Sequence, residues 1–155
     1  GRMDLADDCL AQLDIVIASV HSALYQSESE MTDRLLSAME CPWVDVIAHP
    51  TGRLIMKREP GRAHMDRVFD AAAAHGVAFE INSQPDRLDL HDVLARRARE
   101  RGVMIIIDSD AHSPTALGNV RWGVTVARRA WLQPADVINT QPIGRFRSSL
   151  RRHRR

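Results

Sequence analysis

Four short runs of apolar, largely β-branched residues, each followed by a helical pattern, limit what this chain can fold into. The runs are Asp14–Val20, Val44–Ala48, Val77–Asn82 and Val103–Asp108. Continuous apolar runs of this length suit strands covered on both faces. The segments between them predict helices over Met31–Glu40, Arg62–His75 and Asp89–Arg101. Cys41-Pro42 ends the first, and Gly76 and Gly102 stand where a helix C-terminus favours glycine. Ala127–Leu132 follows the fourth run and extends a helix from about Ala116, and a short fifth strand is expected at Asp136–Asn139. Strand, helix, strand at this spacing means βαβ units, a parallel sheet and an α/β fold.

The chain has 155 residues, the size of one domain, and its 45% hydrophobic and 26% charged content excludes a wholly disordered polymer. Its longest apolar stretches, such as Val103–Ile107, are too short to span a membrane. Cys9 and Cys41 lie far apart and form no CxxC, which argues against a disulfide scaffold or thiolate zinc site. A reducing compartment, the cytoplasm, is expected. Gly1-Arg2 precede Met3, so the chain reads either as carrying a two-residue scar or as a segment of a longer protein.

The net charge of +1 hides an asymmetry. Residues 144–155 hold six arginines and no acid, leaving 15 basic against 20 acidic residues in the body. Two readings of this basic tail stay open: a flexible solvated end, or a contact to nucleic-acid phosphates that is blind to sequence.

The histidines fall into a pattern on this layout. His21 directly follows the first predicted strand, His49 directly follows the second, and the fourth runs into Asp108-Ser109-Asp110-Ala111-His112. Three strands thus deliver His, His and Asp-x-His at their C-terminal ends, where parallel α/β folds build their sites. Imidazole and carboxylate together suit zinc, manganese or iron. Ions of this kind generate hydroxide at neutral pH and hold a phosphoryl group. Glu80 alternates with Phe79 and Ile81 and so shares the opposite face with Asn82. It is either an acid that supports the site or the buried partner of an arginine. Arg53, four residues after His49, either clamps a phosphate or fixes its own loop. Arg87 and Asp89 read as a helix start.

Taken together, Ser19-Val20-His21-Ser22, Ala48-His49-Pro50-Thr51-Gly52-Arg53, Glu80-Ile81-Asn82-Ser83, Arg87-Leu88-Asp89-Leu90 and Ser109-Asp110-Ala111-His112-Ser113 resemble the PHP (polymerase and histidinol phosphatase) domain. More narrowly, they resemble the PHP domain at the C-terminus of bacterial family X DNA polymerases. The resemblance runs from Ala11 to about Ile143. It implies a distorted (βα)7 TIM-like barrel, present here as an incomplete barrel of about five parallel strands with flanking helices over residues 1–143, followed by the basic tail 144–155. It also implies up to three divalent metal ions (manganese or zinc, or iron) in the complete domain. His21 and His49 resemble two ligands of one metal, Asp110 a ligand of a second and His112 of a third. Arg53, in the His-Pro-Thr-Gly-Arg motif, is assigned a phosphate contact.

The family's opening His-x-His strand, further histidines and bridging glutamate have no counterpart here, so about four of nine ligands are present. A barrel lacking its first strands exposes sheet edges, which a homodimer would cover. The resemblance implies a metal-dependent phosphoesterase. In the whole protein this is a 3′→5′ exonuclease that processes DNA single strands or 3′ ends for a repair polymerase. A phosphatase of the histidinol-phosphate type and an inactive DNA-docking scaffold remain as alternatives.

Overall fold

The computed structural model describes residues 1–151. After a short helix α1 (Asp7–Leu10), β1 (Ile17–Ser19) enters the sheet, and α2 (Glu28–Glu40) carries the chain to β2 (Val46–Ala48). Then α3 (Met65–His75) leads to β3 (Ala78–Asn82), and α4 (Asp92–Glu100) to β4 (Ile105–Asp108). The four strands form one all-parallel sheet in the order β1-β2-β3-β4, the arrangement expected of an incomplete TIM-like barrel.

Local chemistry sets most boundaries. Ser27 caps α2 by accepting from Glu30 N, while the Glu30 carboxylate accepts from Ser27 N at 2.9 Å. Gly76 ends α3 in the left-handed region at φ 69°, where a side chain would be strained. By contrast, α4 starts at Asp92 with His91 as its N-cap, three residues later than the sequence predicts. Asp89 is drawn into the interior instead, where it is fully buried and accepts hydrogen bonds from another loop.

The fifth predicted strand does not form. Val137 makes one parallel bridge to Ile105, and the chain then turns through 3-10 helix at Ile138–Thr140. The Asn139 side chain takes over the pairing: its Oδ1 accepts from Ile107 N at 3.2 Å and its Nδ2 donates to Ile107 O at 2.6 Å. An amide side chain thus satisfies the edge of β4 without a ladder. A 3-10 segment, Pro114–Asn119, precedes α5 (Val120–Arg129), which packs on β3 and β4.

Alternation along the strands separates two apolar faces. Ile47, Phe79, Ile81, Ile105 and Ile107 join the main core under the helices, where Phe69 and Phe79 meet edge to face at 5.3 Å. The opposite face carries Val46, Ala78 and Ile106, covered by Ile138 and Leu150. Leu150 follows α6 (Ile143–Ser149), so the first part of the expected flexible tail is helical. Arg147 Nη2 donates to Asp14 Oδ1 at 2.8 Å, and Arg151 Nη1 donates to the carbonyls of Met39 and Cys41 at the end of α2. The remaining tail arginines, Arg152, Arg154 and Arg155, lie outside the described residues.

The homodimer expected at the open sheet edge finds no support. Edge strand β1 is three residues long and offers little ladder to a second chain. No helix among the described residues is long and apolar enough to cross a membrane. Both cysteines are free thiols.

Candidate metal and phosphate site

The face of the sheet opposite the helix-covered core becomes polar toward the C-terminal ends of its strands. On β3, Ala78 gives way to Glu80 and then Asn82, which pairs in register with Asp108 on β4. Glu80 Oε2 accepts from His49 N at 2.5 Å and shares a side-chain hydrogen bond with Asp108. Burial, reinforced by the neighbouring Asp108 carboxylate, pushes the Glu80 carboxyl up to about 9. Glu80 is therefore protonated at neutral pH and finds its partners in backbone and acid rather than in an arginine.

His49 leaves β2 in a left-handed conformation, φ 28°, which a non-glycine residue adopts only where the surroundings hold it. Two carboxyl groups do so here. Glu80 takes the His49 amide, while Asp89 Oδ2 accepts from Thr51 N at 3.0 Å, Thr51 Oγ1 at 2.9 Å and Gly52 N at 2.9 Å. The held loop presents the His49 imidazole to His21, with ring centroids 5.3 Å apart. Burial, and then the Arg87 guanidinium, lower the His49 pKa to about 4, so its ring is neutral at pH 7. His49 Nδ1 is buried without a hydrogen-bond partner. His21 is exposed, and its Nε2 lies 2.9 Å from Ser19 Oγ.

The β4 end builds a second cluster. Asp110 also takes a left-handed conformation, φ 46°, and its amide donates to Asp108 Oδ1 at 3.0 Å. Asn82 Nδ2 donates to Asp110 Oδ2 at 2.9 Å, and Gln84 Nε2 donates to the Asp110 carbonyl at 2.5 Å. The Arg87 guanidinium lies 3.7 Å from Asp110 Oδ2, with its Nη1 buried and unpartnered. Asp110 faces His49 closely enough for its charge to favour protonation of the imidazole. His112 stands at the rim, 83% exposed, with Nδ1 2.8 Å from the Asp110 carbonyl. Arg87, Asp110, His112 and Gln84 line an open cavity of about 510 Å³.

The structure therefore brings His21 and His49 together, sets Asp110 near His49 and leaves His112 at the edge. Among the described residues, no three His, Cys, Asp or Glu side chains converge tightly enough to hold a metal ion unaided. Arg53 donates Nε to the Arg87 carbonyl and Nη2 to the Leu88 carbonyl, both at 2.6 Å, so it ties the β2 loop to the β3 loop. Sequence reasoning missed Arg87 and Asp89 as parts of this site. Their charges read as a helix start, although Arg87-Leu88-Asp89-Leu90 is among the motifs that carry the resemblance and lies just beyond Asn82.

No family model matches the chain. It is 39% identical over 153 residues to the DNA polymerase/3′-5′ exonuclease PolX of Bacillus subtilis, a match taking 99% of this chain and 27% of that protein. It is 30% identical over 164 residues to a probable phosphatase of Thermoanaerobacter sp. (strain X514), covering 64% of that protein. A probable phosphatase of Caldanaerobacter subterraneus is 31% identical over 149 residues, with 56% of its length covered. The chain thus spans about a quarter of PolX and less than two thirds of these phosphatases. Its parallel strands deliver His21, His49 and Asp110 to one end of the sheet, and its likeness to PolX and to these probable phosphatases is consistent with a PHP-like fragment.

Proposed function

We propose that the chain carries part of a metal-dependent phosphoesterase site of PHP type, which in a whole PolX-like protein trims DNA at 3′ ends. The observation that carries this reading is the pair His21 and His49. Two imidazoles face each other, one of them neutral, with a buried ring nitrogen that no protein group satisfies. Neutral imidazole with an open lone pair is what a borderline divalent ion takes as ligand. His21 and His49 would hold one manganese or zinc ion, and Asp110 with His112 would contribute to others.

When bound, such an ion polarises a phosphoryl oxygen and lowers the pKa of a coordinated water. The chain's own residues do the rest. Glu80 and Asp89 keep the His49 loop in its left-handed turn. Asn82 and Gln84 orient Asp110. The Arg87 guanidinium, which lines the open cavity beside Asp110, offers positive charge to a phosphate bound there. Arg53 supports this arrangement by holding the Arg87 and Leu88 carbonyls.

A small-molecule phosphatase is the second reading, favoured by the relatives described as probable phosphatases. The test begins with manganese titration of the purified chain. Binding should occur and should weaken at least tenfold in His49→Ala, since ligand and supporting contacts each contribute on that scale. The chain is then given a single-stranded DNA labelled at its 3′ end, beside histidinol phosphate, with Asp110→Ala as control. Slow, manganese-dependent trimming lost in the control supports the reading. Hydrolysis of histidinol phosphate alone transfers it to the phosphatase reading, and no metal binding with neither substrate cleaved leaves a scaffold.

A further inference from the structure

A surface built by α4, α5 and the turn after α5 carries two tryptophans, each covered by an arginine. Trp122 on α5 is exposed, and the Arg121 guanidinium lies 4.9 Å from its ring centroid. Trp131, just beyond α5, is 69% exposed, and Arg96 of α4 lies 5.5 Å from its centroid. Between the pairs lie two cavities that share Asp92 and Arg129 and together form a groove. One end, of about 330 Å³, is lined by Trp122, Arg53 and Arg129. The other is lined by Arg129 and Arg96, which reaches Trp131. The groove's lining holds three arginines and a single carboxylate, Asp92, which Arg129 pairs at 2.9 Å. Arg96 and Arg121 bring their charge to the surface through the indole rings rather than through an acid.

Exposed indoles of this size are costly to leave in water. An apolar protein partner would cover them, but it would also have to bury several guanidiniums against a lining that holds one acid, already paired. A chain of phosphates with flat bases satisfies both halves of the surface. Its bases stack on indole and guanidinium planes, and its phosphates neutralise arginines. We infer that the groove between α4 and α5, from Arg121–Trp122 to Arg96–Trp131, is a docking track for single-stranded nucleic acid. The choice of occupant rests on the phosphoesterase reading above, which needs a strand led toward its site. The track itself rests on the arginine charge and on the exposed indoles that the guanidiniums cover.

The test uses the full chain in EDTA, so that binding is scored without metal or cleavage. Oligo(dT) is titrated against intrinsic tryptophan fluorescence and, in parallel, as a labelled ligand by anisotropy. The wild-type chain should bind with quenching and weaken as salt rises. Trp122→Ala and Trp131→Ala should each raise Kd roughly tenfold, within the range measured for a lost base–aromatic stack. Trp131→Phe should recover most of the loss. Arg96→Gln should reduce the salt slope by about 0.7 if it neutralises one phosphate. Circular dichroism melts of each variant separate lost binding from lost fold.

Failure of the wild type to bind oligo(dT) overturns the proposal, as does binding whose Kd and salt slope survive Trp122→Ala with Trp131→Ala. A change in association state of the double variant without any oligonucleotide binding assigns the surface to a protein instead. Binding in EDTA by a chain that hydrolyses nothing with manganese sinks the phosphoesterase reading and leaves the track standing.

Discussion

Asp89 offers a direct test of how the His49 loop is held. Its carboxylate is fully buried and collects three donors, Thr51 N, Thr51 Oγ1 and Gly52 N, on one oxygen. Burial outweighs those donors and pushes its pKa from 3.8 up to about 6. A carboxyl whose folded pKa is raised favours the folded state fully below pH 3.8, and that contribution is lost as pH rises through 6. The difference corresponds to about 3 kcal/mol, of which about 1.4 kcal/mol is lost between pH 5 and pH 8. Asp89→Asn keeps an acceptor and removes the titration. Its stability relative to wild type should therefore improve by about 1.4 kcal/mol over that interval. Asp89→Ala instead orphans the three donors and should cost roughly 3–5 kcal/mol at pH 5. Urea melts of the three proteins at pH 5, 6, 7 and 8 measure both effects. Parallel curves for wild type and Asp89→Asn would refute the reasoning, because Asp89 would then titrate alike in folded and unfolded chains.

Gly123 on α5 leaves no room for a side chain: an added Cβ would overlap Ser83 Oγ and stand 2.6 Å from Ile107 Cγ2. Gly123→Ala should push α5 from the sheet and cost about 1–3 kcal/mol by chemical denaturation. Phe79→Ala removes a ring with no exposed surface and its edge-to-face partner Phe69, and should cost about 3–5 kcal/mol. Arg151→Ala should lower stability by about 1–2 kcal/mol, since it frees the Met39 and Cys41 carbonyls at the end of α2; an unchanged melt would reduce those contacts to incidental ones.

The parallel sheet was readable from the sequence because its signals are local. Each strand is a run of apolar residues, and Gly76 and Gly102 mark helix ends by a backbone conformation that only neighbouring residues decide. His21 and His49 were readable as a pair because each stands just past the end of a predicted strand, and those two strands lie side by side. Asp89 was misread because its partners are a whole crossover away at Thr51 and Gly52. A charge beside a helical pattern looks the same whether it caps a helix or pins a distant loop. The segment around Val137 was misread for a similar reason. Its apolar, β-branched residues suit a strand, but Asn139 reaches the β4 backbone first and satisfies it with one side chain. The arginines at positions 147 and 151 looked free because their acceptors, Asp14 and the end of α2, lie more than a hundred residues back along the chain.

The strand order β1-β2-β3-β4 has a consequence for how the molecule assembles. Every ladder joins strands separated by a single helical crossover, so no sheet contact waits for the two ends of the chain to meet. Loop closure is then paid in similar, modest steps, and folding should proceed by accretion of one βα unit upon another. The five-residue β3, paired on both sides and covered on both faces, is the natural seed of that growth. Amide exchange should record the same order: slowest along β3 and its neighbours, fastest at β1, with protection falling outward toward the edge.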